Sequence, residues 1–190
     1  PSEIQNPDLI SFMTQDPFLL NHKSVRDNIL LPIDIVDSTT QSRLSYDVLI
    51  ADLGLKRYEQ FRPIELSGGL RTRVAFARSL ISNSKYLFLD EPFTSLDLMR
   101  RWAMYNLLKT YRNECNNTTL LTTHDLSEAI LLASNICVLK RIGNRSVFTL
   151  YENDLITIKG RDIADCLGDI NQTELKFIKI LETSDSERDC

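Results

Sequence analysis

The sequence predicts an α/β fold with parallel strands, and three observations carry that expectation. Four short, apolar, β-prone runs recur along the chain, at Leu9–Met13, Tyr86–Leu89, Thr118–Thr123 and Ile136–Leu139. Helix-length segments separate the last three, which is the pattern of consecutive βαβ units. The runs are near-continuously apolar rather than alternating, as expected of strands covered on both faces. At 190 residues and 43% hydrophobic content, the chain fits one globular domain with a core of its own.

Each element follows in order. Leu9–Met13 opens as a strand. From Ser24 to Glu65 no strand pattern appears, and Ser45–Leu53 reads as a helix stopped by Gly54, so this stretch is expected to be a helical insert. After Leu66-Ser-Gly-Gly-Leu70, the residues Leu70, Val74, Ala77 and Ile81 fall at i, i+4, i+7 and i+11, one apolar helix face. Arg71, Arg73 and Arg78 lie off that stripe. The second strand precedes a helix over Leu98–Cys115 with Asp97 as its N-cap. The third precedes a helix over Leu126–Ala133. A further strand is expected at Ser146–Tyr151 and helical pieces at Asp162–Leu167 and Thr173–Leu181, before a polar tail. Residues 1–160 then form the main domain, with about 16–66 as a helical subdomain, and 161–190 form a C-terminal extension.

Composition excludes several classes. Twenty-two Lys and Arg against 26 Asp and Glu give a net charge of −4, which disfavours a nucleic-acid partner. No apolar run approaches the roughly 18 residues of a membrane span. The four cysteines (115, 137, 166 and 190) show no paired spacing and no His cluster nearby, the usage of reduced thiols in a cytosolic protein.

Two constellations carry chemistry. Three strands run directly into polar residues: Gln15 after the first, Asp90 and Glu91 after the second, His124 after the third. Ligands of open parallel sheets bind just beyond these carboxyl ends. Adjacent carboxylates there repel unless a proton or cation settles them, and a divalent metal completed by phosphate oxygens does so. The second constellation is Ser67-Gly68-Gly69 at the start of an amphipathic helix. Free amides with little side-chain bulk make an anion site there, although a plain Ser-Gly-Gly turn would look the same.

Together these pieces resemble the ATP-binding subunit of ABC transporters, over Leu9 to about Leu139. Leu66-Ser-Gly-Gly69 resembles the family signature and Tyr86–Glu91 the Walker B strand with its glutamate. Ser95-Leu-Asp97 resembles the D-loop, Gln15 the Q-loop and Thr123-His124-Asp125 the H-loop. Order and spacing agree, with 23 residues from Ser67 to Asp90 and 34 from Asp90 to His124. The texture around 90–93 and 123–129 is similar to importers of nitrate, sulfonates and taurine. Ser134-Asn135 departs from the Asp-Arg usual there, and Leu70 from the common Gln.

The resemblance implies a P-loop NTPase-like ABC ATPase fold and roles for single residues. Asp90 would hold Mg²⁺, with Gln15 also meeting the metal and water. Glu91 would polarise the attacking water, and His124 would contact the γ-phosphate of ATP. Ser67, Gly68 and Gly69 would grip ATP held by a second ABC ATPase subunit, and Asp97 would cross that dimer interface. Further implied partners are transmembrane permease subunits and a solute-binding protein, at the inner face of the cell membrane.

One expected part is missing. Phosphoryl transfer in such enzymes needs Gly-x-x-x-x-Gly-Lys-Ser/Thr ahead of the Gln15 strand, and the first of the six glycines is Gly54. Two expectations stay open. Either the chain is an ATPase truncated before its phosphate loop, whose parent drives import, or it is a non-hydrolysing module that lends its signature turn to a partner. A DNA-repair ATPase fits poorly, because only 52 residues separate Gln15 from Ser67 and they hold no sustained heptads.

Overall fold

The computed structural model describes residues 10–35, 45–94, 96–115, 117–142, 145–152 and 174–178. They divide into two compact units, Pro1–Thr122 and Thr123–Cys190. The expected boundary near residue 160 and the expected helix at Asp162–Leu167 lie outside the described residues.

The first unit is built on three parallel strands, β1 (Ile10–Met13), β2 (Tyr86–Asp90) and β3 (Thr118–Thr122), in the order β1-β2-β3. Four α-helices accompany them: α1 (Val25–Ile35), α2 (Tyr46–Asp52), α3 (Gly68–Ile81) and α4 (Leu98–Cys115). Both parallel connections step the same way across the sheet, and right-handed crossovers then place their helices on the same face. The packing agrees. Phe93 (1% exposed) sits edge-on between Phe76 of α3 and Tyr105 of α4, with centroids 6.1 and 4.7 Å away. Met13, Leu87 and Leu89 are buried on the sheet, and Ser11 Oγ donates to Ser79 O of α3 at 2.9 Å.

The expectation of two covered faces is not met among the described residues. Ile10, Phe12 and Leu120 remain 50%, 57% and 56% exposed. They share the opposite face through the register Phe12↔Phe88↔Leu120. The physical reason is the crossover direction, since connections that step one way clothe only one face.

The insert is helical, as expected, and its local signals are legible. Ser45 caps α2 by accepting from Val48 N at 3.2 Å, and Gly54 follows its end at φ +62°, a left-handed position that suits glycine. Helix α1 carries Pro32 inside it. It starts on a reciprocal Ser24–Asp27 pair. Buried Asn28 then fastens it to the preceding loop, donating to the carbonyls of Leu20, Lys23 and Ser24 and accepting from Leu20 N.

In the second unit, α5 (Leu126–Leu132) precedes β4 (Asn135–Ile142) and β5 (Arg145–Glu152). The βαβ pattern places Ile136–Leu139 in the parallel series, and the structure corrects this. Strand β4 pairs antiparallel with β5, from Asn135↔Glu152 to Ile142↔Arg145. Only Gly143-Asn144 stands between them, and a two-residue link permits no parallel return. Ile130, Ile136 and Phe177 form the small core, with Tyr151 edge-on to Phe177 at 5.3 Å. Phe177 belongs to a helical stretch at 174–178, within the helix expected at Thr173–Leu181.

Tyr111 of α4 is fully buried, and burial pushes its phenol up to about 12. In the unfolded chain the group titrates near its ordinary value of about 10. The unfolded state therefore releases the proton first, and folding stability falls as pH rises between those two values. Urea unfolding at stepped alkaline pH is expected to show this loss, and Tyr111→Phe is expected to flatten it.

Candidate functional site

The carboxyl ends of the three strands converge on a small polar cluster. Asp90 closes β2 opposite Thr122, the last residue of β3, and Asp90 Oδ1 accepts from Thr122 Oγ1 at 2.5 Å. At Glu91 the backbone turns left-handed, with φ +46°, and its N–H donates to both Thr122 O and Thr122 Oγ1 at 3.2 Å. That turn gives the two neighbouring carboxylates different partners. Glu91 Oε2 accepts from Gln15 Nε2 and from Thr94 Oγ1, each at 3.2 Å. Gln15 follows β1, so one carboxylate ties together the loops after two adjacent strands.

A non-glycine residue in the left-handed region costs of order 1–2 kcal/mol and persists only where neighbours enforce it. Here the Thr122 contacts, the Gln15 amide and the Thr94 hydroxyl do so. Thr122 and Thr94 were not legible as site residues. Thr122 is one residue of a threonine-rich strand, and only the β2–β3 register sets it against Asp90.

The other candidates stand on separate elements. Ser67 is the N-cap of α3 and accepts from Leu70 N at 3.4 Å. A Cβ at Gly68 would meet no atom within 4 Å, so the backbone there is open to approach. Asp97 caps α4 through Arg100 N at 3.1 Å, the structural role anticipated for it. His124 belongs to the second unit and is exposed. Its neighbours brace the start of α5: Thr123 Oγ1 donates to Glu128 Oε2 at 2.5 Å, while Asp125 Oδ1 accepts from Ser127 N and Glu128 N. The structure thus groups Gln15, Asp90 and Glu91, and it sets Ser67–Gly69, Asp97 and His124 on helix starts.

The backbone at Glu91 makes a direct prediction. Glu91→Gly and Glu91→Ala both delete the carboxylate, but only glycine takes φ +46° without cost. The glycine variant is expected to be more stable than the alanine variant by about 1 kcal/mol. Paired urea titrations read that difference.

Residues 2–94 match the ABC transporter family. The ATP-binding protein YtlC of Bacillus subtilis, an uncharacterized ABC transporter component, is 39% identical over 128 residues, covering 67% of this chain and 49% of its own length. An aliphatic sulfonates import ATP-binding protein, SsuB 2 of Mesorhizobium japonicum, is 38% identical over 138 residues, covering 73% and 54%. The SsuB protein of Corynebacterium glutamicum is 40% identical over 140 residues, covering 72% and 56%. This chain therefore spans about half the length of the curated relatives it matches. Among solved structures, the ATP-binding cassette MJ0796, dimeric and bound to ADP and Pi, shares 27% identity at a TM-score of 0.59, covering 68% of this chain and 58% of its own. An ATP-binding subunit of an ABC transporter, 18% identical with a TM-score of 0.60, shares the fold. Gln15, Ser67–Gly69, Asp90 and Glu91 all fall within residues 2–94, and that segment is an ABC transporter domain.

Proposed function

We propose that the chain is the hydrolytic and partner-facing part of an ABC importer's ATP-binding subunit, coupling ATP hydrolysis to uptake of a small solute. The Gln15–Glu91–Asp90–Thr122 cluster carries this reading. It holds a carboxylate under backbone strain at the strand ends, where a nucleotide phosphate would lie. Glu91 is the general base for the attacking water, with Gln15 orienting its carboxylate. Ser67, Gly68 and Gly69 grip the γ-phosphate of ATP on a second subunit through the amides that begin α3. His124 contacts the γ-phosphate and helps position the water, and Asp97 faces the partner.

The donor set fits Mg²⁺. Asp90 and Gln15 offer hard oxygen atoms, and among the described residues no three His, Cys, Asp or Glu groups cluster into a self-sufficient cage. Mg²⁺ suits such sparse sites because it keeps waters and takes phosphate oxygens. When bound, the ion neutralises charge developing on the phosphates.

The relatives named for sulfonate import support a small sulfonate as the solute, with permease subunits and a solute-binding protein as partners. Among the described residues no helix is long and apolar enough to cross a membrane. Peripheral placement on the cytoplasmic face, docked on a permease, accords with this reading.

The phosphate-binding Gly-x-x-x-x-Gly-Lys-Ser/Thr does not occur within the 190 residues. A second reading therefore rests on the signature turn alone, in which the chain lends that turn to a partner's ATP without hydrolysing any itself. Both readings require the turn to be competent. The B. subtilis relative, with its hydrolytic glutamate replaced by glutamine, serves as the partner. Size-exclusion chromatography is expected to show a complex with this chain only when ATP is present, and Gly69→Asp is expected to abolish it. A complex equally strong without ATP, or none, defeats the assignment of Ser67–Gly69. The readings separate in a longer polypeptide that carries the phosphate loop ahead of Pro1. There, Glu91→Gln is expected to keep ATP binding while slowing turnover by about 100-fold or more. Unchanged turnover in that variant defeats the role of Glu91.

A further inference from the structure

Arg73 lies outside the apolar stripe of α3, yet it is only 9% exposed. Its side chain reaches two backbone carbonyls, one a turn back on its own helix α3 and one at the end of α2. Nε donates to Gly69 O in the signature turn at 3.3 Å, and Nη1 donates to Leu53 O at the end of α2 at 2.5 Å. Leu53 and Leu55 beside that acceptor are 1% and 0% exposed, so the Arg73–Leu53 contact is seated in the core, while Arg100 is exposed. A second guanidinium arrives from α4. A Cβ built on Gly54 would stand 2.9 Å from Arg100 Nη1 and 3.4 Å from Arg73 Nη1. Arg100 itself lies in the first turn of α4, where its N–H is held by Asp97.

We propose that Arg73 is a positioning residue that locks the signature turn to the helical insert, with Gly54 as the uncrowded point through which Arg100 joins the start of α4 to the same junction. The chemistry is specific to arginine. A planar guanidinium directs separate N–H groups at two acceptors in fixed geometry, whereas a lysine ammonium is a compact point charge on a flexible stem. The carbonyls at the end of α2 carry the negative end of its dipole and offset the charge brought into the core. Burial first, and the nearby Arg100 second, hold the Arg73 guanidinium below its ordinary pKa, consistent with a crowded cationic junction. Displacement of the insert is thereby passed to Ser67–Gly69, and Asp97 is tied into the same movement. The inference rests on the reading of Ser67–Gly69 as the turn that meets a partner's ATP.

The test uses the full chain and the ATP-loaded, hydrolysis-deficient relative described above. Arg73→Lys is expected to melt several degrees below the parent chain while keeping one cooperative transition, the scale of a lost buried hydrogen bond to a charged group. It is expected to raise the ATP concentration for half-maximal association about tenfold, the scale of one lost hydrogen bond to a charged group. Gly54→Ala, which leaves every donor in place but crowds both guanidiniums and strains the left-handed backbone at φ +62°, is expected to shift the same quantity in the same direction. Tyr111→Phe, buried elsewhere in the unit, is expected to leave it unchanged. Wild-type ATP dependence in both Arg73→Lys and Gly54→Ala overturns the proposal. Hydrogen exchange on the isolated chain separates this failure from failure of the signature assignment. Arg73→Lys is expected to speed exchange at the amides of 69–72 without changing those of 104–111. Unaltered exchange at 69–72 overturns the junction even where the wild-type chain forms no complex.

Discussion

Both parallel pairings in the first unit are joined by crossovers that step in the same direction, and the hand of such crossovers is set by strand twist. From that one constraint much of the unit follows. Helices α3 and α4 must share a face, which is why Phe93 can sit between Phe76 and Tyr105 and fasten both helices to the turn after β2. The strands must all point the same way, so Gln15 and the Asp90–Glu91 pair emerge at one edge of the sheet. The same constraint leaves Ile10, Phe12 and Leu120 on the bare face.

Within that frame the chemistry depends on how a strand ends. Continuing β2 through Glu91 with extended backbone would send successive side chains to opposite faces. The left-handed turn at Glu91 breaks the alternation and hands its carboxylate to Gln15 and Thr94, while Asp90 keeps Thr122. The backbone strain is offset by the two hydrogen bonds that Glu91 N makes to Thr122. A carboxylate held this way loses little freedom when a water or phosphate arrives, which is the usual benefit of preorganised polar groups.

The helical insert and the signature helix are linked by charge as well as by apolar packing. Asn28 makes a satisfied polar anchor for α1, and Arg73 does the same between α2 and α3. Buried polar groups of this kind are costly when one partner is lost, so they hold a single arrangement of the elements they join.

Local chemistry in the sequence determined a large share of this protein. The strand runs, the caps at Ser45, Ser67, Asp97 and Asp125, the Gly54 stop and the polar strand ends all act over a few residues, where turn and cap preferences decide the outcome. Tertiary structure decided what depends on residues distant in the chain. Thr122 became a partner of Asp90 and Glu91 only through strand register, and Glu91 turned left-handed only because those neighbours enforce it. Arg73, off the apolar stripe, was buried because Leu53 offered it a carbonyl at the end of α2, folded against its helix, beside the Gly69 carbonyl one turn back on α3 itself. Strand β4 chose β5 over the parallel series because hairpin pairing across two residues is closed by the chain itself, whereas a parallel neighbour must be brought from afar.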